Sequence, residues 1–123
     1  MIVTGVDFVS IPTQDLERAV AFYGETLGLE RTVYMPERNF AEFDTGTVTL
    51  SVVDPQKMGI GEFRPNKNHL ALQVADTHEA RAQLEQRGVT FMGDVFDTGV
   101  CHMAFFTDPD GNALMLHHRY APR

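Results

Sequence analysis

The chain has 123 residues, 43% of them hydrophobic and 22% charged, which predicts one globular domain with a buried core. The formal net charge of −7 argues against nucleic acid as a partner, because its phosphates would be repelled. No apolar run approaches the roughly 20 residues that span a bilayer, and the first residues lack the features of a secretory signal. A single cysteine, Cys101, cannot form an intrachain disulfide, which favours a cytoplasmic location.

The first half of the chain begins with a predicted strand near Val6–Pro12. Asp15 is placed to cap the helix that follows, because its carboxylate can accept a hydrogen bond from an amide of the first turn. An apolar stripe predicts that this helix runs to about Leu27, where Gly28 can end it in a left-handed conformation. Three further strands are predicted at Glu30–Met35, Phe40–Asp44 and Thr47–Val53.

The stretch 54–67 contains two prolines and two glycines and has no periodicity, which is typical of a linker. Its apolar residues Met58, Ile60 and Phe63 belong to no predicted strand. The segment is therefore interpreted either as a linker alone or as a linker that also covers a cavity.

The second half begins with a predicted strand at His69–Val74, and Asp76 is placed to cap a helix that ends near Gln86. Asp108-Pro109-Asp110-Gly111 is a strong turn signal. Strands are predicted around Val89–Met92, Val100–Thr107 and Asn112–His118.

The two halves repeat one pattern, strand-helix-strand-strand-strand. The offset between the copies is 61 residues at three matched pairs, Phe8 with His69, Asp15 with Asp76, and Ala21 with Ala82. A duplicated unit in so short a chain predicts one domain, 1–123, made of two quasi-equivalent modules. Module one covers about 4–53, the linker 54–67 and module two about 68–120.

Period-two alternation separates two faces on several of these strands. One face is aliphatic and is predicted to pack under the helices. The other mixes small, polar and aromatic groups, which favours the wall of a cavity over a face that simply meets solvent. Its members include Phe8, Ser10, Thr49, Ser51, His69, Gln73, Met115 and His117.

The duplication, the segment 15–23 followed by Leu27-Gly28-Leu29, and the turn at 108–112 resemble the vicinal oxygen chelate superfamily. That superfamily includes glyoxalase I, extradiol dioxygenases and fosfomycin- and bleomycin-resistance proteins. The resemblance implies an α+β fold of two βαβββ modules in tandem, which form a curled, incomplete mixed β-barrel with helices outside. It also implies a homodimer, with Met103, Phe105 and Cys101 on the cavity side of their strand.

Metal-dependent relatives hold a divalent ion with His or Gln, Glu, His and Glu. By the resemblance these positions fall at Phe8, Thr49, His69 and Met115. Only His69 is a good ligand, because Phe8 has no donor atom, Thr49 is a weak neutral donor and Met115 is a soft thioether. The resemblance therefore predicts no metal and no cofactor at this site. A rebuilt ligand set of His69, His117 and Cys101 is the remaining metal alternative.

These observations leave three functions open. The first is a glyoxalase- or bleomycin-resistance-like protein that binds a small organic ligand in the cavity without the usual metal. The second is a metal-independent lyase or isomerase that uses His69 as general acid or base, with Cys101 as a second catalytic candidate. The third is a glyoxalase- or dioxygenase-like metal enzyme with relocated ligands. Sequence alone does not decide whether the protein is an enzyme.

Overall fold

The computed structural model describes all residues from 1 to 123, and the chain divides into two compact units, Met1–Pro65 and Asn66–Arg123. Each unit contains a four-stranded mixed sheet that does not close into a barrel. The fold is α+β with two βαβββ modules, which confirms the predicted class. None of the helices has the length and hydropathy that a membrane span would require.

The first unit orders its strands β1-β4-β3-β2, with β1 parallel to β4 and the other pairs antiparallel. The ranges of β2 and β3 agree with the prediction, whereas β1 and β4 each begin two residues later than expected. The elements are β1 (Phe8–Pro12), α1 (Leu16–Ala21), β2 (Glu30–Met35), β3 (Phe40–Asp44), β4 (Thr49–Val53) and a short α2 (Pro55–Met58) within the predicted linker.

The predicted first helix changes character after one and a half turns. Asp15 caps α1 by accepting a hydrogen bond from the Arg18 amide at 3.1 Å, as expected. Residues Phe22–Thr26 then form a π-helical turn, in which the Leu27 amide donates to the Phe22 carbonyl at 2.9 Å. Gly28 follows with φ +77°, so a glycine does stand where the chain leaves the helix.

The core of the first unit lies between α1 with its π-helical extension and the aliphatic face of the sheet. The side chain of Tyr23 is fully buried and packs against Phe43, with ring centroids 6.1 Å apart. Alternation predicted this face for Ile11, Leu50 and Val52, which are fully or almost fully buried, and Ala41 and Phe43 of β3 are fully buried beside them.

The second unit repeats the first. Its sheet has the order β5-β8-β7-β6, again with a parallel pair between its first and last strands. The elements are β5 (Leu70–Gln73), α3 (Thr77–Gln86), β6 (Met92–Asp97), β7 (Cys101–Thr107) and β8 (Ala113–Arg119). The pair Leu70 and Leu114 occupies the place of Val9 and Leu50, which agrees with the offset of 61 residues between Val9 and Leu70.

The strand predicted at Val89–Met92 is wrong in position, because pairing begins only at Met92. The Val89 amide instead donates to the Leu84 carbonyl at 3.0 Å and closes the end of α3. Phe91 is buried against Phe106, with ring centroids 5.0 Å apart, so this stretch packs into the core just before β6 begins.

The turn at Asp108–Gly111 forms as predicted and has a structural role. The buried Asp108 carboxylate accepts hydrogen bonds from the amides of Asp110 and Asn112 and from the Asn112 side chain. Asn112 also accepts from the Asn66 amide at 2.8 Å. The turn therefore anchors the beginning of the second unit to the start of β8.

Candidate functional site

The second sheet has one face covered by a helix and one that no helix of its own unit covers. Helix α3 packs against β7 and β8, above the buried side chains of Ala104, Phe106, Leu114 and Leu116. The alternate residues lie on the other side, which we call the helix-free face of the second unit. In register across β5, β8 and β7, its rows are Ala71, Met115 and Phe105, then Gln73, His117 and Met103, then Arg119 and Cys101.

His69 lies immediately before β5 and is exposed. Its imidazole makes an edge-on contact with the ring of Phe105, with centroids 5.0 Å apart. Phe105 in turn pairs with Met115 across the ladder. The structure thus brings three of the predicted pocket residues, His69, Phe105 and Met115, into one group that combines an imidazole with apolar surface.

The next row holds Gln73, Met103 and His117, three more of the predicted residues. Gln73 is exposed, while Met103 and His117 are half-buried. An amide, a thioether and an imidazole side by side offer hydrogen-bond donors and acceptors next to polarisable apolar surface.

Arg119 extends the same face by one row and was missed by sequence reasoning. The prediction ended the last strand at His118, whereas β8 continues to Arg119. Extending the alternation of Met115 and His117 by two residues would have found it. The Arg119 Nη2 group donates to the Pro122 carbonyl at 3.1 Å, while its Nε atom is buried and has no hydrogen-bond partner.

Cys101 is not brought near His69 within this sheet. Its thiol is buried. Cys101 lies four residues along β7 from Phe105, the residue that His69 contacts, so the backbones of Cys101 and Phe105 are about 13 Å apart at 3.3 Å per residue. His117 is likewise four residues along β8 from the position opposite His69, which is also about 13 Å. Neither unit groups three His, Cys, Asp or Glu side chains in a way that could hold a metal ion.

The helix-free face of the first unit carries the remaining predicted residues. Phe8 is paired with Thr49, and Ser10 with Ser51. Ser51 also pairs with Glu42, a half-buried residue on the same face that the sequence reading missed. The alternation of buried Ala41 and Phe43 around Glu42 was the available signal.

The strand register moves one of the positions that relatives use for metal binding. Leu50 of the first unit is equivalent to Leu114 of the second, so the residue equivalent to Met115 is Ser51 and not Thr49. The prediction for Thr49 is therefore displaced by two residues, because strand β4 could not be aligned from local sequence. A serine hydroxyl is as weak a metal ligand as the threonine it replaces.

The remaining histidines of the second unit are His78 on α3 and the pair His102 and His118, whose positions on β7 and β8 alternate with those of the helix-free face. His102 pairs with His118 across the ladder, and its ring is 5.3 Å from that of His78. The His102 Nε2 atom lies 3.5 Å from a carboxylate oxygen of Asp97.

Asp97 also holds the end of the chain. Its carboxylate accepts a hydrogen bond from the Tyr120 hydroxyl at 2.8 Å. This bond raises the pKa of Tyr120 above its ordinary value, while hydrogen bonds from the Gly99 amide and then from Tyr120 lower the pKa of Asp97. The Tyr120 and Ala121 amides both donate to the Val100 carbonyl. The segment after β8 is thus fastened to the turn between β6 and β7.

Comparison with known proteins agrees with this architecture. A family model described as Glyoxalase/Bleomycin resistance protein/Dioxygenase superfamily matches residues 5–116. The chain is 26% identical to a member of that superfamily from Sphaerobacter thermophilus DSM 20745, with a TM-score of 0.80 and coverage of 95% of this chain and 98% of that one.

Two other solved structures illustrate what this fold hosts. TnmS3, an antibiotic binding protein from Streptomyces sp. CB03234, is 28% identical, with a TM-score of 0.80 and coverage of 97% of this chain and 98% of that one. Lactoylglutathione lyase from Agrobacterium tumefaciens has a TM-score of 0.80 over 94% of this chain and 93% of its own. Its identity is 19%, so this likeness concerns the fold alone.

Proposed function

Because the chain belongs to the Glyoxalase/Bleomycin resistance protein/Dioxygenase superfamily, we propose that it binds a small organic ligand on the helix-free face of its second unit, without the metal that many relatives use. The observation that carries the proposal is the composition of that face. His69, Phe105 and Met115 form one group there, and Gln73 and His117 stand in the next row.

This face has the chemistry of a ligand-binding surface. Half-buried Phe105, Met103 and Met115 supply aromatic and thioether contacts that adapt to a ligand's shape. Gln73 and His117 add hydrogen-bonding groups that can orient it. The corresponding residues of the first unit, Phe8, Ser10, Thr49 and Ser51, remain predicted contacts of the ligand.

The donor set argues against the family's metal. After the register correction, the positions concerned hold Phe8 and Ser51 in the first unit and His69 and Met115 in the second. These supply one imidazole, one neutral hydroxyl, one soft thioether and one side chain with no donor atom. Such a set does not fit a Zn²⁺, Ni²⁺ or Fe²⁺ site. We therefore propose that protein side chains hold the ligand without a metal ion.

The likeness to TnmS3, an antibiotic binding protein, supports a binding role in preference to catalysis. We infer for this chain only the general class, a small organic molecule held by contacts with side chains. The net charge of −7 acts only weakly at any one site, so the local charge of the binding surface decides which ligands it favours.

A pair of matched substitutions tests the proposal. Ala71 is exposed and shares a row with Met115, so Ala71→Phe would fill the binding surface without entering the core. Ala82→Phe places the same ring on the exposed side of α3. In a ligand screen by calorimetry, we expect binding to be lost in the first variant and kept in the second. Equal binding in both variants would contradict the proposal.

Catalysis by His69 is the second candidate, and its exposed position against Phe105 is the observation that favours it. An imidazole in that place could exchange a proton with a bound substrate. Turnover that persists in EDTA, and that His69→Ala abolishes while ligand affinity persists, would support a metal-independent lyase or isomerase. Unchanged turnover in that variant would reject this candidate.

We also propose that the protein acts in the cytoplasm as a homodimer. The apolar side chains of Met1, Ile2, Val3 and Val6 are exposed by 72% or more, and Phe8 by 55%. Covering such a segment against a second copy would remove apolar surface from water. Sedimentation of the intact protein and of Val6→Ser with Phe8→Ser tests this, with dissociation expected for the double variant.

A further inference from the structure

A cavity of about 410 Å³ lies beside the end of β8, entirely within the second unit. Its polar lining residues are Gln73, His117, His118, Arg119 and Arg123. No Asp or Glu lines it. The side chains that line the cavity thus include two guanidinium groups and no carboxylate, although the net charge of the chain is −7.

Arg119 is not fully satisfied by the protein. Its Nη2 group donates to the Pro122 carbonyl at 3.1 Å, but its Nε–H group is buried and has no acceptor. A buried donor without a partner is unfavourable, so the protein satisfies only part of the hydrogen-bonding capacity of this guanidinium. The guanidinium presents several donors in one plane, which suits the paired oxygens of a carboxylate or phosphate group.

The residues that follow β8 and line this cavity are attached to the turn between β6 and β7. The Tyr120 hydroxyl bonds to Asp97, and the amides of Tyr120 and Ala121 bond to the Val100 carbonyl. Asp97 is the acid that contacts this segment, and its carboxylate accepts hydrogen bonds from the Gly99 amide and the Tyr120 hydroxyl. No ion pair is formed between Asp97 and either arginine of the cavity.

We propose that this cavity is a binding site for an anionic group, the carboxylate or phosphate of a small organic molecule. Arg119 is the central ligand of the anion, and Arg123, His117 and Gln73 complete the site. The inference rests on the proposed function and deepens it, since Gln73 and His117 also belong to the face assigned to the organic ligand. The ligand is thus expected to carry a negative group at one end.

Three probes of similar shape test the charge requirement on the full chain: benzoate, phenyl phosphate and the neutral benzamide. Binding is followed by amide and Arg Nε–H chemical shifts. We expect saturable shifts at Gln73 and Arg119 with one or both anions and none with benzamide. Stronger binding of benzoate or of phenyl phosphate identifies the preferred group. Equal shifts with benzamide, or no saturable shift with either anion, would overturn the proposal.

Matched charge variants separate the site from general electrostatics. Arg119→Gln and Arg123→Gln each remove one charge from the cavity, whereas Arg64→Gln removes one from an exposed arginine of the first unit. We expect about tenfold or greater loss of anion affinity for Arg119→Gln. Arg64→Gln should change the affinity less than about twofold. Equal losses in Arg119→Gln and Arg64→Gln would overturn the site.

Arg119→Lys keeps the charge but loses the planar fork, and weakened binding in that variant supports paired recognition of two oxygens. Unchanged amide shifts of Val100 and Tyr120 confirm that the chain end remains attached in each variant. If a ligand bound by the native chain is lost in Ala71→Phe but unaffected in Arg119→Gln, the anion site is rejected while the proposed function stands. If the anions bind at Arg119 but Ala71→Phe affects the binding of no organic ligand, the proposed function is rejected while the anion site stands.

Discussion

The imidazole of His69 meets the ring of Phe105 edge-on, with the centroids 5.0 Å apart. His69 precedes β5 and takes no part in the ladder, so its orientation depends on this contact more than on the sheet. Phe105 belongs to β7 and is held by pairing with Met115. The position of this imidazole is therefore set by an aromatic neighbour from a distant strand.

Replacing Phe105 by leucine should loosen His69 while leaving apolar bulk. Edge-on aromatic contacts contribute about 0.5–1.5 kcal/mol, so the dissociation constant of the organic ligand is expected to rise by about two- to twelvefold. Calorimetry measures the change, and Phe63→Leu, outside the second unit, is the control. Equal affinities in the two variants would show that the contact does not orient the imidazole for binding.

The bond between Asp97 and Tyr120 makes attachment of the chain end dependent on pH. The lowered pKa of Asp97 means that its stabilising contribution is present above the unfolded value of 3.8 and is lost as pH falls through the folded pKa. The raised pKa of Tyr120 means that its contribution is present below pH 10.0 and is lost as pH rises through the folded pKa.

We expect Asp97→Asn to return the pKa of Tyr120 towards 10.0, because the carboxylate that favours the neutral phenol is gone. A titration of the Tyr120 ring carbons by NMR measures this. Asp94→Asn, an exposed substitution on the same strand, should leave the Tyr120 titration unchanged. A Tyr120 pKa that stays raised in Asp97→Asn would assign the shift to another cause.

The duplicated core predicts matched losses of stability. Leu50 and Leu114 occupy equivalent places in the two sheets and are 1% and 0% exposed. Truncation of a buried leucine leaves a cavity, so Leu50→Ala and Leu114→Ala should each lower the free energy of unfolding by about 2–5 kcal/mol. Urea denaturation measures both, with the exposed Met92→Ala as control. A loss below about 1 kcal/mol at either leucine would contradict the assigned packing.

The cap of α1 is expected to contribute less to the free energy of unfolding than either buried leucine does. Asp15→Ala removes the acceptor for the Arg18 amide and should lower the free energy of unfolding by about 1 kcal/mol. Asp15→Asn keeps an oxygen in the same place, so its effect should be clearly smaller. The same denaturation experiment compares them, and equal losses in the two variants would indicate that the carboxylate charge, and not the cap, is responsible.

Treatment with a chelator should leave ligand binding unchanged. The expectation follows from the donor types at Phe8, Ser51, His69 and Met115, which do not suit a divalent ion. Elemental analysis of protein purified without chelator, together with calorimetry before and after EDTA, gives the measurement. A stoichiometric divalent ion whose removal abolishes binding would reject the metal-free proposal.

Local patterns in the sequence were sufficient for most of the fold. The carboxylates of Asp15 and Asp76 cap helices through bonds to residues three positions away, and period-two alternation separated Leu50 and Val52 from Thr49 and Ser51. These features depend on neighbours within a few residues. The same property made the duplication visible, since each copy carries its own caps, turns and strand faces.

Features that depend on pairing between distant segments were not accessible in this way. The equivalence of Ser51 with Met115 requires the register of two parallel ladders, and the separation of His69 from Cys101 requires the order of strands in the sheet. Alternation could have placed Arg119 on this face, but only the pairing of Cys101 with Arg119 shows that β8 continues that far. Local sequence patterns determine where strands and helices form, whereas hydrogen bonding between strands determines which side chains become neighbours.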